Sequence, residues 1–327
     1  MFQRILVPLD GSTRAEQALP IAARLAHASS GTIVLLQVVN LTSQFASYVT
    51  FEPITTQAVI DTQLEEAKNY LDNLTRSNDL INVHSETEVI LGQPAINILS
   101  VVDARHIDLI VMCSHGYTGM TRWVLGSVAE KVAHHSTVPV LLLREGMPPF
   151  AGLHPNGEGT LRILIPLDGS ARAQAAIAPA AQLVAALSAP GRGVLHLTQV
   201  VVMLRGGEIS QTEREAILQL AKQNLNATVE EMRAGVIAAP GIDHRFSVTW
   251  SVTIDDDIAA GIVRMAENGE DAEGIGVFGG SDIVAMATHG YSGLQRWAMG
   301  SITERVLHAT SLPLLIVRPP DVIKTEH

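Results

Sequence analysis

The chain has 327 residues, 47% apolar and 17% charged, with a formal net charge of −11. It holds enough core-forming residues to exclude a disordered chain, and its acidic balance argues against nucleic acid or an anionic membrane as partner, since both require a Lys/Arg footprint. A single cysteine, Cys113, excludes an intrachain disulfide; with neither a signal-peptide pattern at Met1–Val7 nor an uninterrupted run of about 18 apolar residues, the expected compartment is the cytoplasm.

Taken in order, Ile5 to Leu9 is a short apolar run that predicts a first strand. Thr13 to Ser29 is Ala-rich with a helical stripe, and Thr32 to Val39 is almost continuously apolar, as expected of a parallel strand buried on both faces. Thr55 to Ser77 reads as a long amphipathic helix, with the charges between Asp61 and Lys68, Glu65 and Glu66 among them, on its solvated side. Asn82 to Ile90 alternates with a two-residue period, and Pro94 to Ala104 is a short helix with proline near its first turn. Ile107 to Met112 and Val138 to Leu143 are further apolar runs, separated by a helix that begins near Gly126. Five strands alternating with four helices predict an open parallel sheet with helices on both faces.

The chain then repeats itself. Arg4-Ile-Leu-Val-Pro-Leu-Asp-Gly-Ser12 returns as Arg162-Ile-Leu-Ile-Pro-Leu-Asp-Gly-Ser170. Ser114-His-Gly-Tyr-Thr-Gly119, with Arg122-Trp123 and Gly126-Ser127, returns as Thr288-His-Gly-Tyr-Ser-Gly293 with Arg296-Trp297 and Gly300-Ser301. The first pair is offset by 158 residues and the second by 174, so the second copy is longer. Asn268 to Gly280, rich in Gly and acidic residues, is the expected home of the insertion, as a solvated loop. Glu145 to Thr160, with three prolines and four glycines, suits a linker. The expected organisation is a domain over residues 1–145, a linker over 146–160, a second domain over 161–319 and a tail over 320–327.

In such sheets the ligand lies beyond the carboxyl ends of the strands, where the strand order reverses. Asp10-Gly11-Ser12 follows the first strand and Ser114-His115-Gly116 the fourth, and the two loops face one crevice if those strands are neighbours. Gly126-Ser127 at a helix start offers free N–H groups, a hydroxyl and the positive end of the helix dipole, a cradle for phosphate that needs no lysine.

These segments resemble the universal stress protein family, whose nucleotide-binding members carry Gly-x2-Gly-x9-Gly-Ser/Thr after the fourth strand. Gly116 is followed by nine residues and Gly126-Ser127, and Gly290 by nine residues and Gly300-Ser301. Val7-Pro8-Leu9-Asp10, Gly92-Gln93-Pro94-Ala95, Asp108 to Met112 and Val138 to Leu141 extend the resemblance, which covers nearly the whole chain twice. It implies two tandem five-stranded Rossmann-like domains of the adenine-nucleotide-binding type. The first site would be built from Pro8, Asp10, Val38, Met112, Cys113, His115, Gly116, Gly126 and Ser127. The second would use Pro166, Asp168, Val200, Met286, Ala287, His289, Gly290, Gly300 and Ser301. By the same resemblance Asp10 and Asp168 meet the adenine or ribose, and Val38 and Val200 offer backbone groups to the base. The competing reading of each aspartate is an N-cap of the following helix.

Two departures matter. Cys113 and Ala287 stand where the family's first glycine stands, which favours weakened over abolished binding. The second copy lacks Gly-x-Pro-Ala and has Asp255-Asp256-Asp257 near that place, read as acidic first-turn residues that also oppose a triphosphate. The first copy is therefore the better expected site. His115 and His289 are read as loop-packing or positioning residues, Cys113 as an inert thiol, and Trp123 and Trp297 as packing beside the loop. No catalytic residue or metal-ligand set is assigned.

The leading expectation is a stress-response regulatory protein that binds ATP, or AMP or ADP, with Mg2+, with at most slow hydrolysis, and docks to an unidentified protein partner. The alternatives are a true ATPase or nucleotidyl- or phosphate-transferring enzyme, and a nucleotide-independent interaction module with degenerate sites. In the family, single domains pair through their last strands. An intramolecular pseudo-dimer, open to further homodimerisation, is therefore expected.

Overall fold

The computed structural model describes residues 1–40, 53–114, 125–144, 160–202, 210–237, 246–269, 271–272, 276–277, 279–289 and 299–320. The chain divides into two compact units, Met1–Glu145 and Gly146–His327.

In the first unit the elements run β1 (Arg4–Leu9), α1 (Thr13–Glu16), α2 (Leu19–Ser29), β2 (Thr32–Val39), α3 (Pro53–Thr75), β3 (His84–Leu91), α4 (Pro94–Ala104), β4 (Leu109–Cys113), α5 (Ser127–His135) and β5 (Val140–Leu143). The strands pair in parallel in the order β3-β2-β1-β4-β5, with Ile5 opposite both Ile33 and Leu109. The chain thus builds outward from β1 on one side, then returns to build on the other, and the order reverses between β1 and β4. Strands flanked by helices on both faces have no wet side, so Ile5, Leu6, Val7, Leu109, Ile110 and Val111 are fully buried. The predicted helix over Thr13 to Ser29 is instead two, broken at Gln17 and Ala18, with Pro20 seated in the first turn of α2, where its missing N–H costs no bond.

The second unit repeats the plan: β6 (Arg162–Pro166), α6 (Ala171–Gln174), α7 (Ile177–Leu187), β7 (Gly193–Val202), α8 (Gln211–Arg233), β8 (Phe246–Asp255), α9 (Ile258–Asn268), β9 (Asp271–Ala272), β10 (Gly276–Val277), β11 (Ile283–Ala287), α10 (Ser301–Ala309) and β12 (Leu314–Val317). Its parallel strands run β12-β11-β6-β7-β8. The stretch Asn268 to Gly280, expected to be a loop, holds the antiparallel ladder of β9 and β10, because Val277 and Gly276 find backbone partners in Asp271 and Ala272. The linker and the tail fall almost wholly outside the described residues.

One difference between the cores stands out. His196 of β7 is fully buried, its Nδ1 2.7 Å from Thr249 Oγ1 and its Nε2 2.9 Å from Ser251 Oγ. Burial lowers its pKa to about 4, so the ring is neutral at pH 7. The matching place in β2 is Val34, apolar and buried.

Candidate functional site

The turn after β1 is set by Asp10, Gly11 and Ser12. Gly11 sits at φ +83°, a left-handed conformation that any Cβ would strain. Asp10 Oδ1 accepts from the Ser12 amide at 3.1 Å and from Ser12 Oγ at 2.6 Å, while Ser12 Oγ accepts from the Ala15 amide at 3.2 Å. Ser12 is therefore the N-cap of α1, and Asp10 holds the cap in place from an exposed position. The second unit reproduces this: Asp168 Oδ1 accepts from the Ser170 amide and Oγ at 3.0 and 2.6 Å, and Gly169 sits at φ +82°. The N-cap reading of the two aspartates passes to the serines two residues on, and in the first unit the Asp10 carboxylate remains on the crevice wall.

Across the switch point, β4 ends in Met112 and Cys113, both buried. The Cys113 thiol donates to the Arg14 carbonyl at 2.9 Å, tying the end of β4 to α1. The segment between Ser114 and Gly126 is closed at its base, where the Gly126 amide donates to the Ser114 carbonyl at 2.8 Å; Gly300 and Thr288 do the same at 2.7 Å. Gly126 then caps α5 with no side chain, leaving the amides of Ser127, Val128 and Ala129 without intrahelical partners. A Cβ on Gly300 would approach the Thr288 carbonyl to 3.1 Å, which accounts for glycine there.

Between these two edges lies a cavity of about 910 Å³, within the range of small-molecule sites. Pro8, Asp10, Val38, Met112, Cys113, Gly126 and Ser127 line it together. So do residues not assigned to the site from sequence: Gln37 and Asn40 at the end of β2, Gln63 and Tyr70 on α3, Ile98 on α4 and Pro94, known there only as part of a motif. Glu66, assigned to the solvated side of α3 and exposed, also borders it. Gln37 carried a legible signal: a glutamine inside an apolar strand, returned as Gln199 in the second copy. His115, Gly116, Trp123, Gly290 and Trp297 lie outside the described residues.

Tyr70 donates to Glu16 Oε1 at 3.0 Å; burial, that bond and the Glu16 and Asp10 charges push its phenol well above the ordinary tyrosine range. It is a neutral donor at physiological pH. The same latch in the second unit is neutral throughout, Gln174 Nε2 donating to Thr228 Oγ1 at 3.2 Å.

The second unit places Pro166, Asp168, Val200, Met286, Ala287, His289, Gly300 and Ser301 at the corresponding strand and helix ends. His289 is held below the usual histidine range by burial, then by the nearby cations of Arg172 and Arg318. The acidic run there does not act as three free charges. Asp257 caps α9 by accepting from the Ala260 amide and pairs with Arg305 at 2.5 Å, and Asp255 pairs with Arg264 at 2.9 Å.

Comparison with known proteins follows the same division. The model of the universal stress protein family matches residues 1–144 and again 160–318. Universal stress protein YxiE of Bacillus subtilis is 32% identical over 148 residues, 44% of this chain and all of that protein. Universal stress protein MJ0577 of Methanocaldococcus jannaschii is 30% identical over 156 residues, 44% of this chain and 96% of that protein. A universal stress protein from Archaeoglobus fulgidus, 20% identical, superposes with a TM-score of 0.63 over 96% of this chain and 98% of its own, sharing the fold from end to end. With the family matched across both units and each unit folded as an open parallel sheet whose strand order reverses beside its first strand, the chain belongs to the universal stress protein family, carrying its domain twice.

Proposed function

We propose that the protein is a stress-response regulator that holds ATP, or a related adenine nucleotide, in the crevice of its first unit and in the matching crevice of its second. The observation that carries this reading is the cavity itself. Its walls bring the Asp10 carboxylate, able to accept from ribose hydroxyls, into one cavity with the open amides of Ser127, Val128 and Ala129, which suit phosphate. A molecule with a hydroxylated sugar at one end and phosphates at the other uses both. Among the described residues no group of three or more metal-ligating side chains is present. Mg2+ would accordingly enter with the nucleotide, coordinated by phosphate oxygens and water, as this hard, strongly hydrated ion usually is.

Binding rather than turnover is the assigned activity. The cradle positions phosphates and so supports slow hydrolysis, while Tyr70, the neutral phenol on the wall, supplies no base. Occupancy would bias docking to a protein partner. In the same reading the apolar strands β5 and β12 would pair within one chain, since each is an apolar edge of its own sheet that needs cover.

Mass spectrometry of the small molecules released on denaturation, with calorimetric titration of the emptied protein by Mg-ATP, tests the proposal. Recovery of an adenine nucleotide and saturable binding are expected. A protein that emerges empty and gives no binding heat with ATP, ADP or AMP would refute it.

A further inference from the structure

Gln37 interrupts the apolar strand β2 and borders the cavity, its Nε2 3.7 Å from where a Cβ on Gly11 would stand. Its amide oxygen Oε1 is buried and has no hydrogen-bond partner among the described residues. A buried carbonyl without a donor is destabilising, and a leucine would fit this strand at no such cost. Gln199 occupies the same place in the second unit. Leu9 faces Gln37 across β1 and β2, while Pro166 faces Thr198, so Gln199 is the residue opposite Leu167, the counterpart of Leu9. Its Oε1 is likewise buried without a partner among the described residues. Packing explains neither amide, and two separate cores carry the same unmet group at the same register position.

We infer, on the nucleotide reading above, that Gln37 and Gln199 are the side chains that read the base. A primary amide offers a donor and an acceptor side by side, the complement of adenine at N6 and N7: the exocyclic amine donates to Oε1, and Nε2 donates to N7. The amide oxygen is bound to nothing in the protein, so a turn about the last side-chain torsion presents it to the cavity without breaking a bond to it. A 6-oxopurine shows two acceptors, O6 and N7, along that edge. It can satisfy the Nε2 donor once and leaves Oε1 without a partner. The amide thereby selects a 6-aminopurine over a 6-oxopurine, a choice that Asp10 and the α5 amides, given to ribose and phosphate in that reading, do not make.

The test is calorimetric titration with ATP, ITP and 7-deaza-ATP of the parent, Gln37→Leu, Gln199→Leu and the double variant, with thermal melts of each. The parent is expected to prefer ATP over both analogues by roughly tenfold or more. Each single variant should lose that preference at one site, and the double variant should bind all three ligands alike. The variants should melt no lower than the parent, because an unpaired buried amide has been removed. Gln37→Met and Gln199→Met, closer to glutamine in shape, serve if the leucine variants do not fold. A double variant that keeps the parent's ATP preference, or loses ATP and ITP equally, overturns the assignment while leaving nucleotide binding intact. A parent that binds none of the three overturns the nucleotide reading, and this inference with it.

Discussion

Asp10 and Asp168 each hold the serine that caps the next helix, and Asp10 also lines the cavity of its unit. On the proposed reading, nucleotide binding and capping fall to neighbouring groups. Ser127→Ala removes a hydroxyl at the α5 start without touching the cap of α1; ATP affinity should fall by about 0.5–1.5 kcal/mol, the worth of one hydrogen bond, in a calorimetric titration. Cys113 stands where the family pattern has glycine, and its thiol bond to Arg14 makes it a structural tie as well as a wall. Cys113→Ala should lower stability by about 0.5–1.5 kcal/mol in urea unfolding, whereas Cys113→Gly should tighten nucleotide binding by clearing the Cβ. His196 gives a pH signature. Its folded pKa of about 4 lies below its ordinary 6.5, so between those values the unfolded chain takes up a proton that the folded unit refuses. Stability from this group is complete above pH 6.5 and is lost as pH falls towards 4. Thermal melts across that window should show His196→Val losing less stability than the parent on acidification, while starting about 1–3 kcal/mol lower at pH 7, with Thr249 and Ser251 left unpaired.

At the scale of elements, α3 and α8 close over their sheets through latches of different chemistry at one position: Tyr70 to Glu16 in the first unit, Thr228 to Gln174 in the second. Tyr70→Phe should cost about 0.5–1.5 kcal/mol of stability, read by urea unfolding, if the latch holds α3 as its geometry indicates. The strands were legible because their apolar runs are short and bounded by Gly and Pro, and Pro94 to Ala104 emerged with the predicted ends. The break between α1 and α2 was not, since alanines carry a helical stripe across Gln17 and Ala18 without showing where the axis turns. Glu66 shows a second limit. Periodicity separates a wet face from a dry one, but a crevice is wet too, and only packing decides which solvated residues border it. The third limit is pairing: Asp255 and Asp257 read as free charge until α9 and α10 bring Arg264 and Arg305 to them.

For the whole molecule, that pairing changes the expected ranking of the two crevices. The first copy is the better expected site because it alone keeps Gly92-Gln93-Pro94-Ala95 and because the second has the acidic run, yet two of those three aspartates sit beside arginines, and Arg172 and Arg318 lie near His289. The first crevice instead carries Asp10 and Glu66 on its wall, where the second has Asp168 and a neutral Asn224 at the position matching Glu66. Charge alone no longer favours the first unit, and what remains in its favour is Gly92-Gln93-Pro94-Ala95. The resemblance to the family was readable because two glycine-spaced motifs recur in order. The chemistry of the site was less so, because Gln37 and the open amides of α5 acquire meaning only when a cavity lies beside them.

The central claim, that the crevice between β1 and β4 is an adenine-nucleotide site, is met most directly by calorimetric titration of Mg-ATP into the parent and into Gly116→Val. The parent should show saturable binding, and the variant, folded by circular dichroism, should lose the binding that belongs to the first unit. A folded Gly116→Val protein that binds ATP with the parent's affinity and stoichiometry would contradict the account.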